Sequence, residues 1–234
     1  MNPNKNAIAT IKKIINGGYG LSRTGEGKTL LVRQSLPGET VEVHIVEKQH
    51  NLDFGVVKSV VKPHQNRIVP PCPWYPSCGG CDLQHVDYHT QCTVKNLILH
   101  DLIERHQSGA ISGLTSLLAP ILPSPEAFGY RQRIRLKVEN NTIGFNKFRS
   151  HDIVPIKCCL LATINTTLER LPYLSAFHSF SSVTEEIDIL LNPVDTTPCL
   201  VLRMKRKPRP NDRKNARSLA AESPPGTRIF LAGK

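Results

Sequence analysis

Thr40-Val41-Glu42-Val43-His44-Ile45-Val46-Glu47 places Val41, Val43 and Ile45 on one face of an extended chain and Glu42 and His44 on the other. A period of two with one apolar face predicts a half-buried β-strand, because successive strand side chains point to opposite sides. Upstream, from Ile8, apolar alternations at Ile11 to Ile15 and Thr29 to Val32 are separated by Gly17-Gly18-Tyr19-Gly20 and followed by Leu36-Pro37-Gly38-Glu39. Downstream, Phe54 to Val61 forms another apolar run. Short strands between glycine-rich turns predict an all-β, OB-like barrel over residues 1–62, since closure removes exposed strand edges. Within it, Gly25-Glu26-Gly27-Lys28-Thr29 looks like the end of a phosphate-binding loop, but the first glycine of that pattern would have to stand at Ser22. It reads instead as a hairpin turn leading into Leu30-Leu31-Val32.

After the barrel, residues 63–92 form a cysteine-rich segment with Cys72, Cys78 and Cys81 inside ten residues, Pro-rich around Trp74 and Tyr75 and closed by Gly79-Gly80. A Cys-x5-Cys-x2-Cys spacing suits structural zinc or an iron-sulfur cluster, both of which use thiolates on short loops. Glycines let the backbone turn tightly beside the metal. A fourth ligand has to come from Cys92, Cys158, Cys159 or Cys199. Cys92 falls on an expected helix and Cys199 begins an apolar strand, which leaves the Cys158-Cys159 pair.

That helix is expected from about Tyr88 to His106, where Val94, Leu97, Ile98 and Leu102 recur at spacings of three and four, with an end near Ser108-Gly109. Pro120, Pro123 and Pro125 mark an irregular connection to Phe128. From Tyr130 the chain alternates again: Arg131, Arg133, Arg135 and Lys137 against Gln132, Ile134, Leu136 and Val138. Thr142 to Phe148 is expected to pair back across Asn140-Asn141. Further strands are expected at Ile187 to Leu191, Cys199 to Met204 and Arg228 to Leu231, so residues 93–234 read as an α+β domain with a mostly antiparallel sheet.

The 234 residues carry 30 basic and 19 acidic side chains, a formal charge of +11 that favours polyanionic partners. The four cations from Arg131 to Lys137 would lie about 7 Å apart along one strand, matching a phosphate track. A second basic run, Arg203, Lys205, Arg206, Lys207, Arg209, Arg213, Lys214 and Arg217, is opposed only by Asp212 and reads as a flexible, proline-containing loop. Aromatic residues make up only 6% of the chain, and no base-stacking platform is legible. The start of the chain lacks the layout of a secretory signal, and no apolar run is long enough to span a membrane. Seven clustered cysteines are unlike a secreted disulfide framework. A cytoplasmic, monomeric protein with reduced thiols and no membrane partner is the expectation.

The ordered string Gly17-Gly18-Tyr19-Gly20-Leu21-Ser22-Arg23, Leu36-Pro37-Gly38-Glu39, Arg67-Ile68-Val69-Pro70-Pro71-Cys72, Cys78-Gly79-Gly80-Cys81-Asp82-Leu83-Gln84-His85 and Tyr130-Arg131-Gln132-Arg133 resembles the bacterial RNA uracil-5-methyltransferases, more narrowly their 23S rRNA branch. The resemblance implies that the barrel is a TRAM domain, that the partner is RNA, in particular 23S rRNA, and that Cys72, Cys78, Cys81 and Cys158 hold a [4Fe-4S] cluster. Cys159 fills the position that follows the ligand. It also implies S-adenosylmethionine as methyl donor. The family's methyltransferase domain, with its donor site, nucleophilic cysteine and proton-abstracting carboxylate, has no counterpart in this sequence, so no catalytic or donor-binding residue is assigned. The expectation is the RNA-recognition and cluster-bearing portion of such an enzyme, inactive alone, with Arg131, Arg133, Arg135, Lys137, Arg203, Lys205, Arg206 and Lys207 facing RNA. The alternative is a free-standing iron-sulfur RNA-binding protein without catalysis.

Overall fold

The computed structural model describes residues 6–106, 113–163, 175–195 and 197–234. These fall into two compact units, one taking in the chain up to Pro71 together with Cys81–Pro123, the other Cys72–Gly80 with Ser124–Lys234.

The first unit is built on six strands: β1 (Asn6–Thr10), β2 (Lys13–Ile15), β3 (Tyr19–Arg23), β4 (Thr29–Arg33), β5 (Thr40–Lys48) and β6 (Leu52–Lys62), in the order β1-β5-β6-β4-β3-β2. The two edge strands β1 and β2 are separated in sequence only by Ile11 and Lys12, so the sheet has to curl round into a half-barrel. Val41, Val43 and Ile45 point into its core with Ile11, Leu30 and Val32, as the alternation requires. Residues 24–28 are a hairpin turn: β3 and β4 pair antiparallel, Thr24 N–H donates to Lys28 O at 2.8 Å, and Gly27 takes φ 80°. β4 and β6 run parallel, which makes the sheet mixed.

Buried polar groups tie the turns of this unit together. Glu39, fully buried, accepts from Leu36 N–H at 2.9 Å, His64 N–H at 3.0 Å and the Arg67 guanidinium at 2.5 and 2.7 Å. The turn at Leu36-Pro37-Gly38-Glu39, with Gly38 at φ 81°, thereby presents the carboxylate that holds Arg67. Arg33, also buried, donates to Cys81 O at 2.7 Å and to Asp82 at 3.3 Å.

Helix α1 (Tyr88–His106) starts on Asp87, whose carboxylate accepts from Thr90 N–H at 2.9 Å and Thr90 Oγ1 at 2.7 Å. Of its expected apolar face only Val94 is buried; Leu97 is 55% exposed. The expected helix end near Ser108-Gly109 lies outside the described residues.

The second unit contains β7 (Arg133–Glu139), β8 (Thr142–Asn146), β9 (Ile153–Pro155), β10 (Thr184–Leu191), β11 (Pro198–Met204) and β12 (Arg228–Gly233), with helices α2 (Ser175–Ser181) and α3 (Pro210–Glu222). The order is β12-β11-β10-β7-β8-β9. The expectation of a mostly antiparallel sheet is only partly right: β11 and β12 are parallel, because α3 intervenes between them and returns the chain to its starting end. β7 and β8 pair across Asn140 and Asn141, at φ 47° and 63°, the left-handed values that a two-residue hairpin needs. Ile134, Leu136 and Val138 enter a core with Phe177, Phe180, Ile187, Ile189, Leu200 and Leu202.

The basic run from Arg203 to Arg217 is likewise no flexible loop. Arg203 lies in β11, and Pro210 to Arg217 lie in α3. Pro210 fits the first helical turn, where its missing N–H costs nothing. Asp212 accepts from Arg209 N–H at 2.6 Å and pairs with Arg206 at 2.6 Å, and Ala216 and Leu219 continue the same buried face at helical spacing.

Candidate nucleic-acid interface

The outward face of β7 carries Arg133, Arg135 and Lys137, alternating with its three buried apolar residues. The neighbouring strand β10 sets Asp188 opposite Arg135 and Glu186 opposite Lys137, on the same face. On the other side of β10, Arg203 of β11 stands opposite Glu186. Asp188 therefore sits beneath three guanidinium groups. Arg135 Nε donates to it at 2.9 Å, Arg203 Nε at 2.8 Å and Arg133 Nη2 at 3.0 Å. Its side chain is only 1% exposed, although it points away from the apolar core.

Burial pushes the Asp188 pKa up, but hydrogen bonds from Arg135, Arg203 and Arg133 outweigh it and bring it down to about 2. Glu186 holds Lys137 at 2.5 Å and lies 3.7 Å from both Arg135 and Arg203. Four cations against two carboxylates leave a surplus of two positive charges. Each guanidinium keeps further N–H donors beyond those used on Asp188, so a face pre-ordered by its acids still suits phosphate oxygens.

The remaining basic candidates are placed differently. Arg131 precedes β7 and is fixed by its backbone, donating to Leu161 O at 2.7 Å and accepting from Thr163 N–H at 3.0 Å. Lys205 Nζ donates to Ser182 O at 3.3 Å, Arg206 is engaged by Asp212, and Lys207 is exposed. Sequence reasoning missed Glu186 and Asp188, although they stand two apart in a strand-like run, the same period that revealed the arginines.

No disulfide joins any of the seven cysteines, and all are half-buried. Among the described residues, no three His, Cys, Asp or Glu side chains form a group able to hold a metal ion. The cysteine-rich loop is nevertheless ordered by its own backbone: Tyr75 N–H donates to Cys72 O at 3.1 Å and Cys78 N–H to Trp74 O at 2.7 Å. Gly80 N–H points at Cys78 Sγ, 3.4 Å away. Trp74 and Cys159 pack against the core of the second unit. Cys92 lies on α1, and burial raises the pKa of Cys199 in β11, which favours the neutral thiol there.

No protein-family model matches this chain. The chain is 31% identical over 236 residues to the 23S rRNA (uracil(1939)-C(5))-methyltransferase of Pectobacterium atrosepticum, covering 98% of this chain and 50% of that protein. An RNA methyltransferase of Thermotoga maritima is 35% identical over 156 residues, covering 67% of this chain and 34% of the relative. Its homologues are RNA methyltransferases. The chain spans about half the length of the curated relatives it matches, or less. In fold, it is similar to the tRNA (uracil-54, C5)-methyltransferase of Pyrococcus abyssi, solved with S-adenosyl-L-homocysteine. The TM-score is 0.58 at 22% identity, covering 88% of this chain and 48% of that one. Among the described residues no helix is long and apolar enough to cross a membrane.

Proposed function

We propose that this chain is the RNA-recognition portion of an S-adenosylmethionine-dependent uracil-C5-methyltransferase acting on 23S rRNA. The observation that carries the reading is the surplus-positive face over Asp188 and Glu186, in a chain whose relatives are RNA methyltransferases. On this reading Arg133, Arg135, Lys137 and Arg203 bind phosphates, and their acids hold them in place beforehand so that little side-chain freedom is lost on binding. Arg131, Lys205, Arg206 and Lys207 extend the contact as a non-specific electrostatic fringe. The half-barrel is a TRAM domain, and the protein acts as a cytoplasmic monomer. These residues position RNA, and methyl transfer is not assigned to any of them.

The same reading gives Cys72, Cys78, Cys81 and Cys158 to a [4Fe-4S] cluster. The support is the all-thiol donor set, the Gly80 N–H directed at Cys78 Sγ and the packing of Cys159 on the core, which leaves its neighbour Cys158 for ligation. A cluster spreads its thiolates over several irons, so its ligands need not converge as those of a single ion do. With every iron held by cysteine, the group would supply a structural clamp and offer no open position to substrate.

The test is binding of a labelled 23S rRNA fragment by the purified chain, alongside incorporation of methyl groups from S-adenosylmethionine. Salt-sensitive binding without methylation is expected. Failure to bind rRNA overturns the RNA assignment, and turnover by this chain alone overturns the division of labour.

A further inference from the structure

A cleft of about 310 Å³ opens on the second unit, between the Gly79-Gly80 turn and the connection from β8 to β9. Arg135 and Lys137 line it. Lys137 lies opposite Gly144 of β8, where a Cβ would come 1.8 Å from Val154 O, so only glycine lets β9 pack this closely beside the lysine. One wall is the Gly79 backbone, whose N–H donates to Asn146 O at 2.9 Å; a Cβ there would lie 2.8 Å from the same oxygen. The other wall is Lys147-Phe148-Arg149. This turn is closed by Lys147 N–H donating to Asp152 O at 2.8 Å, with Arg149 at φ 50°.

We propose that this cleft seats one nucleotide of a single-stranded RNA, its base against the Phe148 ring and its phosphates among Arg135, Lys137, Lys147 and Arg149. The proposal rests on the RNA-binding reading above and names the part of that face which grips an unpaired base. Phe148 is one of the residues that line this cleft. It is half-buried, whereas the core rings of this unit, Phe177 and Phe180, are 1% and 0% exposed, and it is flanked in sequence by two exposed cations. An aromatic side chain lining a cleft beside backbone-tracking cations is the arrangement that single-stranded nucleic acids require, since every base offers a π-face and every linkage a charge. The volume is in the range of small-ligand pockets. Arg135 and Lys137 are already oriented by Asp188 and Glu186, while Lys147 is paired with the exposed carboxylate of Asp152 at 3.2 Å, which a phosphate can replace.

The experiment is fluorescence anisotropy with a labelled oligouridylate RNA of about twelve nucleotides, using wild type, Phe148→Ala, Phe148→Leu and Arg149→Gln, each checked for its melting temperature. Loss of one stacked base is expected to weaken binding by at least about fivefold in both Phe148 variants, with the salt dependence unchanged. Phe148→Leu keeps an apolar side chain, so it reads stacking even where the alanine variant unfolds. Arg149→Gln is expected to reduce the log-log salt slope by about 0.7. Wild-type binding with all three variants unchanged overturns this proposal alone; no binding by wild type overturns the RNA reading and this proposal with it.

Discussion

Asp188 is buried under Arg135, which donates to it at 2.9 Å from the adjacent strand and is itself half-exposed. On the proposed reading the acid is the anchor and the arginine the RNA-facing surface. Asp188→Asn keeps the shape and removes the charge, so the expected stability loss is about 1–3 kcal/mol in urea titration, from weakened charged hydrogen bonds. The surplus on the face rises from two to three positive charges, so RNA affinity at low salt is expected to hold or increase. Loss of RNA binding in a folded Asp188→Asn protein would contradict the anchoring role.

His85 sets an acid limit on the first unit. It is buried, and desolvation, followed by the charge of Arg67, brings its pKa down from 6.5 to about 4. Between these values the unfolded chain takes up a proton that the folded protein refuses, so stability falls as pH drops from 6.5 towards 4 and levels off below. The full loss is about 3 kcal/mol. Replacing His85 with Gln is expected to flatten this interval in pH-dependent thermal unfolding. Asp188 acts lower: its depressed pKa contributes stability above 3.8 that is lost as pH falls towards about 2.

Glu39 and Arg67 form the buried pair behind two of the sequence motifs. Glu39→Gln leaves the guanidinium without its counter-charge and is expected to cost about 3 kcal/mol of stability in denaturant unfolding. An unchanged midpoint would mean that solvent compensates Arg67.

Cys78→Ser tests the metal assignment. Anaerobically purified wild type is expected to contain about four irons per chain with a broad visible absorbance, and the variant to lose both. Stoichiometric zinc without iron in the wild type would rule out the cluster.

Much of this architecture was legible because it rests on local rules. The period of two from Thr40 to Glu47 and from Arg131 to Val138 placed both sheets, and Asn140-Asn141 placed a hairpin. Three things escaped. The parallel pairing of β11 with β12 follows from α3, which prolines and dense positive charge disguised as a loop although Pro210, Asp212, Ala216 and Leu219 stand at helical positions. Asp188 and Glu186 escaped because acids in a strand show no partner until registry brings the cations of two neighbouring strands to them. Phe148 escaped as a candidate contact because its significance depends on the Gly79-Gly80 turn, far away in sequence, lying against β8.

The most direct measurement is the affinity of this chain for a 23S rRNA fragment across a salt series. If the face of Arg133, Arg135, Lys137 and Arg203 binds phosphates, the logarithm of affinity falls linearly with the logarithm of salt, by about 0.7 to 0.9 per contact, and substituting Arg135 with Gln makes the slope shallower by one such step. A flat salt response, or an Arg135→Gln slope equal to that of wild type, contradicts it.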